Sequence, residues 1–158
     1  MGYPNPFYRK QFHWPEGRRD RPYEFERDLV FVCMPFVTPD CKSVFDAITE
    51  SCSSLGLRAI TVKDRNGSGF IIKEIASLIS KAEFLIFDLS HERPNVYYEL
   101  GYAHGLGNEE YDVLLIAKSG TRLHFDVSAL RTHFYGALDE LRSIIQRSLK
   151  EMIAKTRG

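Results

Sequence analysis

The sequence is short of most features that would commit a protein to a membrane, a nucleic acid or a metal. Its 21 basic and 21 acidic residues cancel, so no global field draws it toward nucleic acid or an anionic bilayer, and neither is expected as a partner. Long hydrophobic runs are missing. The longest uncharged apolar stretch, Leu29 to Val37, falls well short of the ~20 residues that span a bilayer. The first 27 residues mix prolines, aromatics, arginines and acids without an apolar block, so no secretory signal is expected there. Cysteine is scarce: Cys33, Cys41 and Cys52 make an odd count without metal-ligand spacing. That argues for small buried side chains in a reducing, cytoplasmic setting rather than a disulfide framework. No His/Cys/Asp cluster has zinc spacing and no G-x-S-x-G elbow is present. Metal hydrolysis and serine chemistry are therefore not expected, and nothing in the sequence asks for a cofactor.

What is present is enough for one well-packed unit. A chain of 158 residues buries roughly 70% of its unfolded surface on folding. Residues 1–27 read as an extended arm with four prolines, the aromatics Tyr3, Phe7, Tyr8, Phe12 and Trp14, and a basic cluster of Arg18, Arg19 and Arg21 around Asp20. Such an arm suits packing on the body or on a second subunit and equally suits a free tail; a homodimer or higher homo-oligomer is expected. From Asp28 to residue 158 the pattern alternates. Apolar β-branched or aromatic runs at Leu29–Met34, Arg58–Val62, Phe84–Leu89 and Val113–Ala117, with a weaker fifth at His133–Tyr135, read as strands. Helices are predicted over Cys41–Leu55, Phe70–Lys81, Asn95–Leu106 and Ala137–Lys155. Near-continuous apolar strands suit a parallel sheet covered on both faces. The expected fold is α/β: a flavodoxin-like, Rossmann-like doubly wound five-stranded sheet in the order 2-1-3-4-5.

In such a sheet ligands sit outside the carboxyl ends of the strands. The loops there carry "CMPFVTPD", "VKDRNGSG", "FDLSHERPNVYYELG" and "IAKSGTRLHFD", which brings Asp64, Asp88 and Glu99 toward one crevice. Glu99 is the sharpest candidate. A helical wheel over 93–107 gathers Val96, Leu100, Ala103, Leu106 and Gly107 into one apolar arc, with Glu99 between Ala103 and Leu106. A carboxylate facing the dry side of a helix is costly unless something there uses it. If Asn95 caps the helix, Glu99 also lies near its first turn, where negative charge is favoured. Asp88 ends an apolar strand and suits either turn chemistry or a ligand. Asp64 lies in a glycine-containing loop without the spacing of a P-loop or a dinucleotide fingerprint. His104 falls off the Glu99 face and reads as a surface or satisfied histidine.

"DLS" at 88–90 followed by "RPNVYYELGYAHGLG" resembles the nucleoside 2-deoxyribosyltransferase superfamily and its TIR-like relatives, and is closest to a prokaryotic nucleotide-binding group. The resemblance covers about Val30 to Tyr135, including "VCMPF" at the first strand and "FD" before the last. It implies that Glu99 matches the catalytic glutamate of an "ELGYA"-type segment and that Asp88 and Asn95 match polar positions on the sugar side. Transferases of the superfamily often close the pocket with a polar residue near the partner's C-terminus, where this sequence has the charged "RSLKEMIAKTRG". Hydrolysis is accordingly placed ahead of transfer.

Breaking an N-glycosidic bond builds positive charge at C1′ and the ring oxygen, so a carboxylate under the sugar stabilises or attacks that centre. Glu99 is expected to take that part, with Asp88 as a second catalytic group or a ribose ligand. Met34, Pro35, Phe36, Asp64, Ser90, Asn95 and Tyr98 are expected to bind substrate, Asn95 or Tyr98 orienting the glutamate. Nicotinamide leaves NAD as a neutral molecule and needs no acid, whereas an ordinary base must be protonated. The expected activity is cleavage of NAD or of a nucleoside monophosphate. Deoxyribosyl transfer and a non-catalytic nucleotide-binding or TIR-like interaction module are the alternatives.

Overall fold

The computed structural model describes residues 25–62 and 69–158. In chain order the elements are β1 (Glu26–Cys33), α1 (Asp40–Ser53), β2 (Arg58–Ile60), α2 (Gly69–Lys81), β3 (Ala82–Asp88), α3 (Pro94–Gly105), β4 (Val113–Lys118), β5 (Thr132–Tyr135) and α4 (Leu138–Arg157). A 3-10 turn at Phe125–Val127 precedes β5. All neighbouring strands pair in parallel, in the order β2-β1-β3-β4-β5. The chain therefore adopts the flavodoxin-like sheet and strand order expected of it.

The strands read as unbroken apolar runs because the inner ones are covered twice. All seven residues of β3 are buried. Alternation along each strand sends successive side chains to opposite faces. Val30, Val32, Phe84, Ile86 and Ile116 join α1 and α4 in one core, whereas Leu29, Phe31, Leu85, Phe87 and Leu115 join α2 and α3 in the other. On α4 the inward stripe is Leu141, Ile144, Ile145, Leu149 and Met152, the spacing of one helical face. Cys33 lies in the α2/α3 core and Cys41 and Cys52 in the α1/α4 core, all three as buried free thiols. Burial pushes the Cys52 thiol up to about 12. At neutral pH the native protein should thus resist thiol reagents and label at Cys52 only on unfolding; fast native labelling at that position would contradict its place in the core.

Several boundaries differ from the sequence expectation for identifiable reasons. β1 begins at Glu26, whose register partner is Ala82, so Glu26 and Arg27 belong to the sheet rather than to the arm. Residues 1–24, with Tyr3, Phe7, Tyr8, Phe12 and Trp14, lie outside the described residues, as does Asp64. β2 stops at Ile60 because only three of its residues pair with β1. α4 continues past Lys155 because Arg157 has partners at the amino edge of the sheet. Its guanidinium lies 2.7 Å from Asp28 and 2.7 Å from Glu83, and a further Nε bond reaches Glu83 at 2.9 Å. Asp28 itself sits at φ +67°, a conformation costing a non-glycine residue about 1–2 kcal/mol, and its backbone N–H donates to Glu83 at 2.7 Å. One buried carboxylate thereby ties the start of β1, the start of β3 and the end of α4. No helix among the described residues is long and apolar enough to cross a membrane.

Candidate active site

The end of β3 and the start of α3 build the site. Asp88 closes β3 and accepts two bonds at Oδ1 from Ser90, from its backbone N–H at 2.9 Å and from its hydroxyl at 2.5 Å. The Ser90 hydroxyl in turn accepts from the Lys118 N–H at 2.8 Å, which fastens the turn to the end of β4. Glu92 completes this turn at φ +45°, with its N–H donating to the Leu89 carbonyl at 3.2 Å. The chain then enters α3 at Pro94.

Asn95 is not the cap of α3. Arg93 occupies that position in an extended conformation without a side-chain cap bond, and Pro94 is the first helical residue. The residue before a proline is driven out of the helical region, while proline itself is well suited to the first turn. Asn95 is consequently an exposed residue of the first turn. One further turn along, Glu99 faces inward with Val96, Leu100 and Ala103 and is 5% exposed. The dry-side carboxylate expected from the helical wheel is there.

Glu99 opens onto a groove of about 650 Å³ between α2 and α3, whose walls include Ile72, Ile75, Asn95, Tyr98 and Tyr102. Tyr98 is 73% exposed on its rim. Three of the expected residues, Asn95, Tyr98 and Glu99, are therefore brought together. The others are not. Asp88 shares the orientation of Phe84 and Ile86 and so approaches the carboxyl edge from the α1/α4 face, the opposite face from α3. The expectation that Asp88 and Glu99 look into one crevice gives way to two arms reaching the same edge from either side. Met34 and Pro35 are buried, Met34 in the α1/α4 core, and Phe36 packs edge-on against Phe45 at 6.0 Å between ring centres. Their side chains do not line the groove beside Glu99.

Around Asp88 lies a polar cluster that the sequence did not signal. Burial pushes the Asp88 carboxyl above its ordinary range, against the opposing pull of the Ser90 bonds and the charge of His91. The Tyr135 phenol is likewise pushed up, chiefly by burial and then by Asp88. Cys41 Sγ stands 3.6 Å from His91 Nε2 and 3.3 Å from Thr38 Oγ1. The cluster draws on three stretches tens of positions apart, 38–41, 88–91 and Tyr135, which meet only because the ends of β1, β3 and β5 lie side by side. His104, on the far flank of α3, is half-buried and its imidazole is pushed down by burial. Among the described residues no group of three His, Cys, Asp or Glu is arranged to hold a metal ion.

The raised Asp88 carboxyl gives a signed prediction. In the window between the ordinary value of 3.8 and the raised native one, the folded form holds the proton more tightly than the unfolded form. Its contribution to stability is thus full at low pH and is lost as pH rises through the native value. Asp88→Asn keeps an acceptor for Ser90 and carries no charge, so the stability of the variant relative to wild type should grow from pH 4 to pH 7 in urea titrations. Parallel profiles for the two proteins would contradict the burial of an ionising carboxyl.

No family model matches the sequence, and no curated protein does. Solved structures share the fold. A flavo di-iron protein from Thermotoga maritima superposes with a TM-score of 0.62 at 17% identity over 84% of this chain, which spans only 37% of that protein. The CMP N-glycosidase BcmB of Clostridium botulinum superposes with a TM-score of 0.56 at 14% identity, over 73% of this chain and 96% of that one. A diflavin flavoprotein A3 from Nostoc sp. gives 0.51 at 12% identity over 82% and 94%. Likeness at these identities establishes the flavodoxin-like arrangement alone, an arrangement on which flavoproteins and a CMP N-glycosidase are both built.

Proposed function

We propose that this chain cleaves the N-glycosidic bond of a nucleotide, with Glu99 acting at the anomeric carbon, as the resemblance to the nucleoside 2-deoxyribosyltransferase and TIR-like superfamily implies. The observation that carries the reading is a carboxylate held on the buried face of α3 and opening onto a groove that runs between α2 and α3. The shared fold with a CMP N-glycosidase, 96% of which superposes on 73% of this chain, supports it.

In the reaction the C1′–N bond breaks and its electron pair leaves with the base. Positive charge spreads over C1′ and the ring oxygen, and the Glu99 carboxylate stabilises it from below or bonds to C1′. Water then supplies the oxygen that ends on C1′ and releases one proton. Tyr98 and Asn95, on the same groove, are the residues that touch the sugar. Asp88 works as a positioning residue. Its bonds to Ser90, and Ser90's bond from Lys118, fix the turn from which α3 departs.

The leaving group follows from what lines the groove. Among the described residues no second carboxyl accompanies Glu99 there; the walls are aliphatic and tyrosyl. A pyrimidine or purine must be protonated as it departs, whereas a pyridinium base leaves as a neutral molecule. NAD accordingly stands ahead of nucleoside monophosphates as substrate, and transfer to an acceptor base ranks below hydrolysis. Purified protein incubated with NAD, with CMP and the other nucleoside monophosphates, and with deoxynucleosides should release base, nicotinamide first, by chromatography. Equal release by wild type and Glu99→Gln would remove the enzymatic reading. Absence of release together with a nucleotide-dependent rise in Tm would leave a binding module.

A further inference from the structure

The groove between α2 and α3 is larger than a single sugar requires, and its length below Glu99 is apolar. Ile75, Ala76 and Ile79 line it from α2 and Tyr102 from α3. Ile72 is 57%, Tyr98 73% and Tyr102 37% exposed along its rim. A contiguous apolar face of this kind on a single chain marks a surface that something covers.

We propose that the occupant is the aromatic segment at residues 3–14 of the same chain, laid along the lower half of this groove. Three observations favour it over other occupants. The first is where the segment joins the body. Glu26 pairs in register with Ala82, the residue that immediately follows α2, so β1 begins beside the lower end of the groove, about one helical turn from Ile79. The second is reach. From Pro15 to Phe25 the chain extends up to about 36 Å, while Ile71 to Ile79 spans only about 12 Å of helix. The third is composition. Tyr3, Phe7, Tyr8, Phe12 and Trp14 supply large apolar surface to match the apolar lining of the groove, whereas Arg18, Arg19 and Arg21 fall in the stretch that tethers this segment to β1. A segment anchored this close faces the groove at an effective concentration in the millimolar range, which a second copy in dilute solution does not match.

The test reads the arm directly and is independent of what Glu99 does. Trp14 is the sole tryptophan, so its fluorescence reports on this segment alone. In the intact chain its emission should be blue-shifted relative to free tryptophan and protected from acrylamide quenching. Ala76→Glu combined with Tyr102→Glu, at two partly exposed positions on the lower half of the groove, should shift the emission to the red and abolish the protection. Phe7→Ala combined with Phe12→Ala, which leaves the body untouched, should do the same by weakening the occupant instead of the groove. Red-shifted, freely quenched emission from the intact chain would overturn the proposal. So would protection that survives the groove variant, since the arm would then lie elsewhere. Protection lost on dilution in step with dissociation of a dimer would assign the groove to the arm of a second copy and overturn the intrachain arrangement.

Discussion

Replacing Glu99 with glutamine is expected to lower base release by about a thousandfold or more while leaving a folded protein that still binds nucleotide. The substitution keeps the shape and one hydrogen-bonding oxygen but removes the charge that the proposed reaction sets against the developing cation at C1′. Removing one preorganised electrostatic group from an active site costs about 10²–10³ in rate, and loss of a nucleophile costs more. Because Glu99 is 5% exposed, the fold must be checked alongside: a cooperative melting transition and a retained Kd for an uncleaved analogue assign the loss to chemistry. A drop of only a few-fold, at unchanged Kd, would mean that the bond is broken by another group.

Replacing Arg157 with alanine is expected to destabilise the protein by about 3–5 kcal/mol, because Glu83 loses the guanidinium that balances it inside the protein. Glu83 is 2% exposed, and the pair is bidentate at 2.7 and 2.9 Å with Asp28 as a third member. These bonds hold the Arg157 guanidinium well above the ordinary arginine range, so it stays charged at any working pH. The midpoint of thermal unfolding should fall by about 10 °C. Glu83→Gln in the same background should restore part of the loss, since the cost lies in the buried charge rather than in the missing contact. A change of a degree or two for Arg157→Ala would show the clamp to be a surface pair of little worth.

Much of this architecture was legible in the amino-acid order, for reasons that can be named. The apolar runs at Leu29–Met34 and Phe84–Leu89 identify inner strands because both of their faces are covered, and alternation with helical patterns then leaves few topologies. Glu99 was legible because a helical wheel needs only local spacing, and α3 obeys it. The cap of α3 was readable too, through Pro94 rather than Asn95, since proline marks the first helical position. The opposite orientation of Asp88 could have been taken from its even spacing with Phe84 and Ile86. Other features are not local. The Arg157–Glu83 pair joins residues 74 positions apart, and the Cys41–His91 contact joins residues 50 apart; neither has a signature in spacing. The groove arises where exposed Ile72 and Tyr102 of different helices come side by side, and each alone resembles an ordinary surface residue.

The most direct measurement is a crystal structure of the protein with an uncleavable nucleotide analogue, a carbocyclic NAD or nucleoside monophosphate. The predicted result is a ribose ring in the upper groove with its anomeric carbon about 3–3.5 Å from a Glu99 carboxylate oxygen and Asn95 or Tyr98 on the sugar. A ribose bound away from Glu99, or a Glu99 carboxylate turned aside from an occupied groove, would contradict it.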